Sequence, residues 1–112
     1  MGLTLQRVIV RDKKFYTETR GPRDRIKLTG KAEAAYRVFK RNSLPVRVLL
    51  IPDVEQVTDD DKLSEINGVR LDVGHVAHNL LERVQQELRK IGLGITIKEH
   101  TPTSLDINFH PL

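Results

Sequence analysis

Apolar and polar positions in the first half of the chain predict one amphipathic helix. The side chains at the spacing of a single helical face are Ala32, Ala35, Tyr36 and Phe39. Thr29 precedes them as a suitable N-cap, and Asn42-Ser43 followed by Pro45 ends the pattern. The sequence therefore predicts a helix over about residues 30–42.

A second apolar stripe predicts a longer helix that begins near Val73 and runs over five turns. Its members are Val73, Val76, Ala77, Leu80, Leu81, Val84, Leu88 and Ile91. Asp72 is placed to cap the start. Gly92 is suited to end the helix in the left-handed conformation, with Leu93 making an apolar contact.

The N-terminal segment has the composition of a β-hairpin. Leu3 to Arg11 is rich in aliphatic and β-branched residues, Asp12-Lys13 is a turn candidate, and Phe15 to Arg20 is a candidate return strand. The stretch from Arg20 to Arg25 combines Gly and Pro with three arginines. Because Gly and Pro favour turns, this stretch predicts an exposed loop or hairpin tip.

Further strands are predicted in the second half. Val46–Ile51 is apolar except for Arg47, which is typical of a central strand covered on both faces. After the turn signal Asn67-Gly68, the alternation of apolar residues from 69 to 73 predicts a short strand. Gly94 to Glu99 and Ser104 to Phe109 alternate in the same way and predict a C-terminal hairpin.

These elements predict an α+β fold with a mixed, mostly antiparallel sheet and two helices packed on one face. The order matches a ferredoxin-like sandwich, β-α-β-β-α-β, with an extra C-terminal strand. The 112 residues fit a single domain, 1–112. The longest uninterrupted apolar run has four residues, so we expect no membrane span. The absence of cysteine excludes disulfides and is compatible with the reducing cytoplasm. We expect a cytoplasmic location by default, because the sequence shows no targeting signal.

Charge is divided unevenly along this pattern. Residues 1–47 hold 13 Lys and Arg against 4 Asp and Glu, whereas residues 48–112 hold 6 against 11. The basic half concentrates in residues 20–31 and the acidic half in residues 53–65. A basic half attracts polyanions, and an acidic half binds cations, pairs with another copy, or neutralises its own chain. Which of these applies depends on whether the two segments meet.

The basic N-terminal region is the first candidate site. Its cations are interleaved with Phe15 and Tyr16, so they offer phosphate contacts with few stacking faces. The candidate nucleic-acid contacts are Arg11, Lys13, Lys14, Arg20, Arg23, Arg25, Lys27 and Lys31. We expect backbone-directed binding with little sequence preference. A basic face that only aids solubility is the alternative.

The acidic segment is the second candidate. It carries Asp59, Asp60 and Asp61, and carboxylates are ligands for Mg²⁺. Beside a basic surface they would suit a metal-dependent nuclease, but adjacent loop residues lack the rigid spacing of catalytic carboxylates. A solvated loop is therefore favoured, and a short strand over residues 54–57 stays open.

The third candidate lies on the predicted second helix. His75, His78 and Glu82 would fall within about 60° of one another, at 100° per residue. Imidazole and carboxylate bind zinc. Three side chains on one exposed helical face do not converge as natural ligands do, so surface or interface residues are favoured over a metal site.

One local resemblance is visible. The run Asp-Lys-Leu-Ser-Glu-Ile-Asn-Gly-Val-Arg-Leu-Asp from Asp61, a His-bearing helix and a Gly-Ile-Thr-Ile strand resemble the second half of a PDZ domain. The resemblance covers about a third of the chain and implies a strand, turn, helix and strand in that order. The carboxylate-binding loop of that family has no counterpart before residue 61, so no peptide-binding residue follows from it.

Taken with the charge division, these patterns favour a non-enzymatic binding module that contacts nucleic-acid backbone through its basic N-terminal region. No cofactor is expected. The alternative is a protein-interaction or homo-oligomeric assembly module, formed through a sheet edge or through charge-complementary faces.

Overall fold

The computed structural model describes residues 6–18, 21–52, 57 and 61–112. Within these ranges the chain forms nine strands and two helices. Their bounds are β1 Gln6–Arg11, β2 Lys14–Thr17, β3 Gly21–Arg25, β4 Lys27–Leu28, α1 Gly30–Arg41, β5 Val46–Ile51, β6 Lys62–Leu63, β7 Gly68–Leu71, α2 His78–Arg89, β8 Leu93–His100 and β9 Leu105–Pro111.

Seven of these strands form one sheet in the order β3-β2-β1-β5-β7-β9-β8, and every neighbouring pair is antiparallel. β4 and β6 form a separate parallel pair. The α+β class and the mostly antiparallel sheet are therefore confirmed. The ferredoxin-like order is not confirmed, because four strands precede α1 and the described sheet has no parallel neighbours.

One face of the sheet carries the core. Val8, Leu49, Val69 and Ile107 are direct cross-strand neighbours on four successive strands, and all four are fully buried. Side chains from both helices belong to the same cluster, so both helices pack on this face. Burying each such side chain stabilises the fold by about 1.5–3 kcal/mol. In this layer α1 packs against β5, and Tyr36 on α1 also contacts Phe15 on β2.

Helix α1 agrees with the sequence prediction to within one residue. It ends in a Schellman motif, in which Leu44 N–H donates to Phe39 O (2.9 Å) and Ser43 N–H donates to Lys40 O (3.1 Å). Ser43 adopts the left-handed conformation, with φ of 57°. Thr29 occupies the N-cap position, but its hydroxyl donates to Leu63 O rather than accepting from the helix.

Helix α2 is shorter than predicted, and the prediction that it begins at Val73 with Asp72 as cap is wrong. The helix begins at His78, after an N-cap position held by Ala77. Val73 and Val76 still pack on the core, but from non-helical chain. Gly74 explains the break, because its backbone lies against Thr101 and Pro102 with no room for a Cβ atom. The helix ends at Arg89, earlier than predicted, and Gly92 follows in the turn before β8 with the predicted left-handed conformation, at φ of 85°.

The expected loop from Arg20 to Arg25 is also wrong, since Gly21–Arg25 is the edge strand β3. An edge strand tolerates Pro, because one side of its backbone needs no hydrogen-bonded partner. The strand proposed over residues 54–57 falls on residues that are not described, apart from Val57, which is buried outside any strand.

The C-terminal hairpin is confirmed as β8 and β9, with β8 at the free edge of the sheet. Neither of the two described helices, at 12 residues each, is long and apolar enough to cross a membrane.

Candidate functional site

A tight turn between β1 and β2 sets the position of two basic side chains. Arg11 and Lys14 close the hairpin as a cross-strand pair, and Asp12 and Lys13 form the turn with φ of 49° and 64°. Two successive positive φ values are those of a type I′ turn, whose twist matches the flanking strands. Lys13 therefore adopts the left-handed backbone conformation, which is unfavourable for a residue with a side chain, at the tip of the hairpin.

A groove of about 480 Å³ lies between this hairpin, β4 and the exposed side of α1; we call it the basic groove. Its residues come from three separate parts of the chain that the core layer brings together. They are Lys13, Lys14, Phe15, Arg25, Ile26, Lys27, Leu28, Glu33, Tyr36, Arg37 and Lys40.

The floor of the basic groove is apolar. Ile26 and Leu28 are buried, and Phe15 and Tyr36 are half-buried. The two aromatic rings meet edge to face, with centroids 5.3 Å apart. Burial of the Tyr36 ring raises the pKa of its hydroxyl above the ordinary tyrosine value, because the phenolate loses hydration.

The rim of the basic groove is strongly cationic. Six Lys or Arg side chains line it, and Glu33 is the one acid among its described residues. Glu33 pairs with Arg37 on the next turn of α1 at 2.6 Å. Within the described part of the chain, no ion pair engages the other five cations. Among the described residues, the groove therefore carries a net positive charge around an apolar floor, which attracts an anionic ligand.

The wall formed by β4 is held by the acidic half of the chain. Lys27 N–H donates to Asp61 O (2.7 Å), and Thr29 N–H donates to Leu63 O (2.8 Å). Ser64 O accepts from Ala32 N–H (3.3 Å) at the start of α1. The basic and acidic segments thus meet within one molecule through their backbones. Asp61 does not line the basic groove.

Of the predicted basic candidates whose side chains are described, four converge in the groove and two do not. Lys13, Lys14, Arg25 and Lys27 line it. Arg11 pairs with Lys14 but stays outside, and Lys31 lies beside Gly92 after α2. Arg20 falls outside the described residues, as does the side chain of Arg23.

Sequence reasoning missed Arg37 and Lys40 on α1. The sequence contains the pattern that could have identified them, because the two residues are spaced i, i+3 and therefore share one polar face of the predicted helix. What the pattern lacks is the neighbouring hairpin. Only the sheet brings Lys13 and Lys14 opposite α1, and that is a tertiary relationship.

The metal-site candidates that the structure describes do not come together. His75 precedes α2 in non-helical chain, and His78 Nε2 lies 3.0 Å from Glu82 Oε1 as an exposed pair one turn apart. Asp59 and Asp60 fall outside the described residues, and Asp61 occupies a turn. In the ranges that the structure describes, no group of three or more His, Asp or Glu side chains is arranged to hold a metal ion.

Two further polar clusters are structural. On the sheet face opposite the helices, Arg70 donates two hydrogen bonds to Asp106 (2.7 and 2.9 Å), and they lower the pKa of that carboxyl. Between the helices, Asn42 and Arg41 donate to Glu87 (2.7 and 3.0 Å) and lower its pKa. Both clusters tie separate elements together.

Comparisons with protein-family models, with curated proteins and with solved structures find no match to this chain. The shared element order with the second half of a PDZ domain therefore carries no family assignment. Function has to be inferred from the geometry of the basic groove.

Proposed function

We propose that this protein is a non-enzymatic module that binds nucleic acid through the basic groove. One observation carries the proposal: six cationic side chains from three separate parts of the chain line a single groove, with only Glu33 against them among the described residues. Cations scattered for solubility would instead be mixed with acids over the surface.

Phosphate contacts are the chemistry that such a rim favours. Each Lys or Arg that neutralises a phosphate releases condensed counterions, so the affinity falls steeply as salt rises. Because these contacts are made to the backbone, we expect little dependence on base sequence.

Fluorescence anisotropy with labelled oligonucleotides across a salt series tests the proposal. The groove variant replaces Arg25, Lys27 and Lys40 by Gln. The matched control replaces Arg83, Arg89 and Lys98, exposed cations outside the groove, in the same way. Both variants lose three charges, so their comparison separates position from net charge.

We expect the groove variant to bind at least about tenfold more weakly at low salt and to show a shallower salt slope. The control should keep most of the affinity. Equal losses in the two variants, or no binding by the wild-type protein at low salt, would contradict the proposal.

The alternative of self-assembly through a sheet edge has less support. β3 contains Pro22, which has no amide hydrogen to donate. β8 carries an irregularity between Ile97 and Glu99, next to the exposed Lys98. Prolines, bulges and lysines are features with which proteins block strand addition at sheet edges.

A further inference from the structure

The apolar floor of the basic groove is not explained by phosphate contacts alone. Phosphates need cations and hydrogen-bond donors, whereas Phe15 and Tyr36 offer half-buried ring surface beneath the rim. A partly exposed apolar surface that is surrounded by charged residues is typical of a binding site. It therefore points to a ligand with both an anionic backbone and an apolar or planar part.

The aromatic pair suits planar groups. Phe15 and Tyr36 meet at an interplanar angle of 82°, and both are only partly buried and line the groove, so part of their surface is open to it. Bases stack on aromatic side chains whatever their sequence, because every base has a π-face.

The size of the groove favours unpaired over paired nucleotides. Its volume of about 480 Å³ lies within the roughly 300–1,000 Å³ of ligand pockets. Such a space suits a group of small-ligand size, such as a single unpaired base. In a duplex the bases are stacked and paired inside the helix, so only the phosphates would reach the rim.

We propose that the basic groove takes single-stranded nucleic acid, with an unpaired base on the Phe15–Tyr36 floor and the flanking phosphates on the Lys and Arg rim. This inference rests on the proposed function, and it adds the requirement for a base. An acidic polypeptide matches the rim, but its carboxylates have no aromatic face to stack on the floor.

Probes of equal length test the base requirement directly. Anisotropy is measured with a twelve-nucleotide single strand, the same strand with abasic sites at its four central positions, and a duplex of the same length. The single strand and its abasic form carry the same phosphate charge. We expect the intact strand to bind at least about fivefold more tightly than either of the other two probes.

Variants of the aromatic residues test whether the preference for the intact strand depends on the floor of the groove. Tyr36→Leu should abolish most of the preference for the intact over the abasic strand. Tyr16→Leu is the control, because Tyr16 does not line the groove and pairs with Ile9 on the opposite face of the sheet; its other cross-strand neighbour, Arg25, is retained in both variants. Thermal unfolding checks that each variant is folded, and Phe15→Leu takes the place of Tyr36→Leu if that variant is not.

The outcomes separate the two proposals. Equal binding of the intact and abasic strands would overturn the base requirement and leave phosphate binding intact. No binding to any probe at low salt would overturn both. Polyglutamate that displaces the intact strand as effectively as unlabelled single strand, at equal charge, would assign the groove to acidic polypeptides and overturn the inference.

Discussion

The ring of Phe15 on β2 meets the ring of Tyr36 on α1 edge to face, with centroids 5.3 Å apart and planes at 82°. This contact joins the β1–β2 hairpin to the helix across the floor of the basic groove. Aromatic pairs of this geometry contribute more to the free energy of folding than the burial of their surface area alone would give. The two walls of the groove are therefore held at a fixed separation.

A double-mutant cycle should detect this contact. Phe15→Leu and Tyr36→Leu, alone and together, are expected to show a coupling free energy of about 0.5–1.5 kcal/mol in denaturant unfolding. A parallel cycle with Tyr16→Leu in place of Tyr36→Leu should give a coupling near zero, because Tyr16 and Phe15 face opposite sides of β2. Additive effects of Phe15→Leu and Tyr36→Leu would contradict the contact.

Lys13 should show a conflict between stability and binding. Its φ of 64° favours glycine, so Lys13→Gly is expected to stabilise the fold by about 0.5–1 kcal/mol in denaturant unfolding. The same change removes one rim cation and should weaken oligonucleotide binding about two- to fivefold at low salt. Unchanged affinity would show that Lys13 does not contact the ligand.

The end of α1 predicts a second stabilising glycine. Ser43 holds the left-handed position of the Schellman motif with φ of 57°, and Ser43→Gly should raise the free energy of unfolding by about 0.5–1 kcal/mol. Ser64→Gly serves as the comparison, since Ser64 does not have a positive φ. That variant should not be stabilised, and oligonucleotide affinity should change in neither.

Removing the one described acid of the basic groove should strengthen binding. Glu33→Gln releases Arg37 from its 2.6 Å ion pair and adds a unit of net positive charge. We expect affinity for oligonucleotides to rise about two- to fourfold at low salt and to converge with the wild type at high salt. Glu82→Gln makes the same change in net charge on α2, away from the groove, and should raise affinity much less.

Acid should destabilise the fold through Asp106 and Glu87. Both carboxyls have pKa values below their ordinary ones, Asp106 mainly through its hydrogen bonds from Arg70 and Glu87 mainly through that from Asn42. Their native pKa values lie below the unfolded ones. The stabilisation is therefore full at neutral pH and is lost as the pH falls below about 4. Melting temperatures between pH 7 and pH 2.5 should show this decline.

Asp106→Asn isolates one of the two contributions. It should lower stability at pH 7 by about 1–2 kcal/mol, because the ion pair is lost and one of the two oxygens that accept from Arg70 is replaced by an NH2 group, which cannot accept. It should also reduce the further loss in acid. Asp72→Asn removes an exposed carboxyl that makes no ion pair within the described residues and should leave the pH profile unchanged.

Local patterns predicted α1, the central strand β5 and the C-terminal hairpin, because each has a periodicity that its own residues determine. The start of α2 could not be read in this way. Val73 and Val76 are spaced as on a helix, yet they reach the core from non-helical chain that Gly74 packs against Pro102. The spacing of apolar residues indicates which residues are buried. It does not show that they are helical, and here the close approach of Gly74 to Pro102 favours a non-helical backbone.

The basic groove was predictable only in part. The cations from Lys13 to Lys27 are visible in the sequence as a cluster, but Arg37 and Lys40 join them through sheet and helix packing. Gly21-Pro22 is compatible with both a turn and an edge strand, so local residues did not distinguish the loop from β3. The missing information in each case is which elements become neighbours.

All described residues of the basic groove lie between positions 13 and 40, yet β4 forms its wall by pairing with β6, 35 residues further along the chain. Because closing a longer loop costs more conformational entropy, we expect this pairing to form after the local hairpins. A fragment that ends before residue 61 would keep every groove cation but lose the acceptors that hold Lys27 and Thr29. It would behave as a flexible polycation, with affinity for any polyanion and no preference for bases.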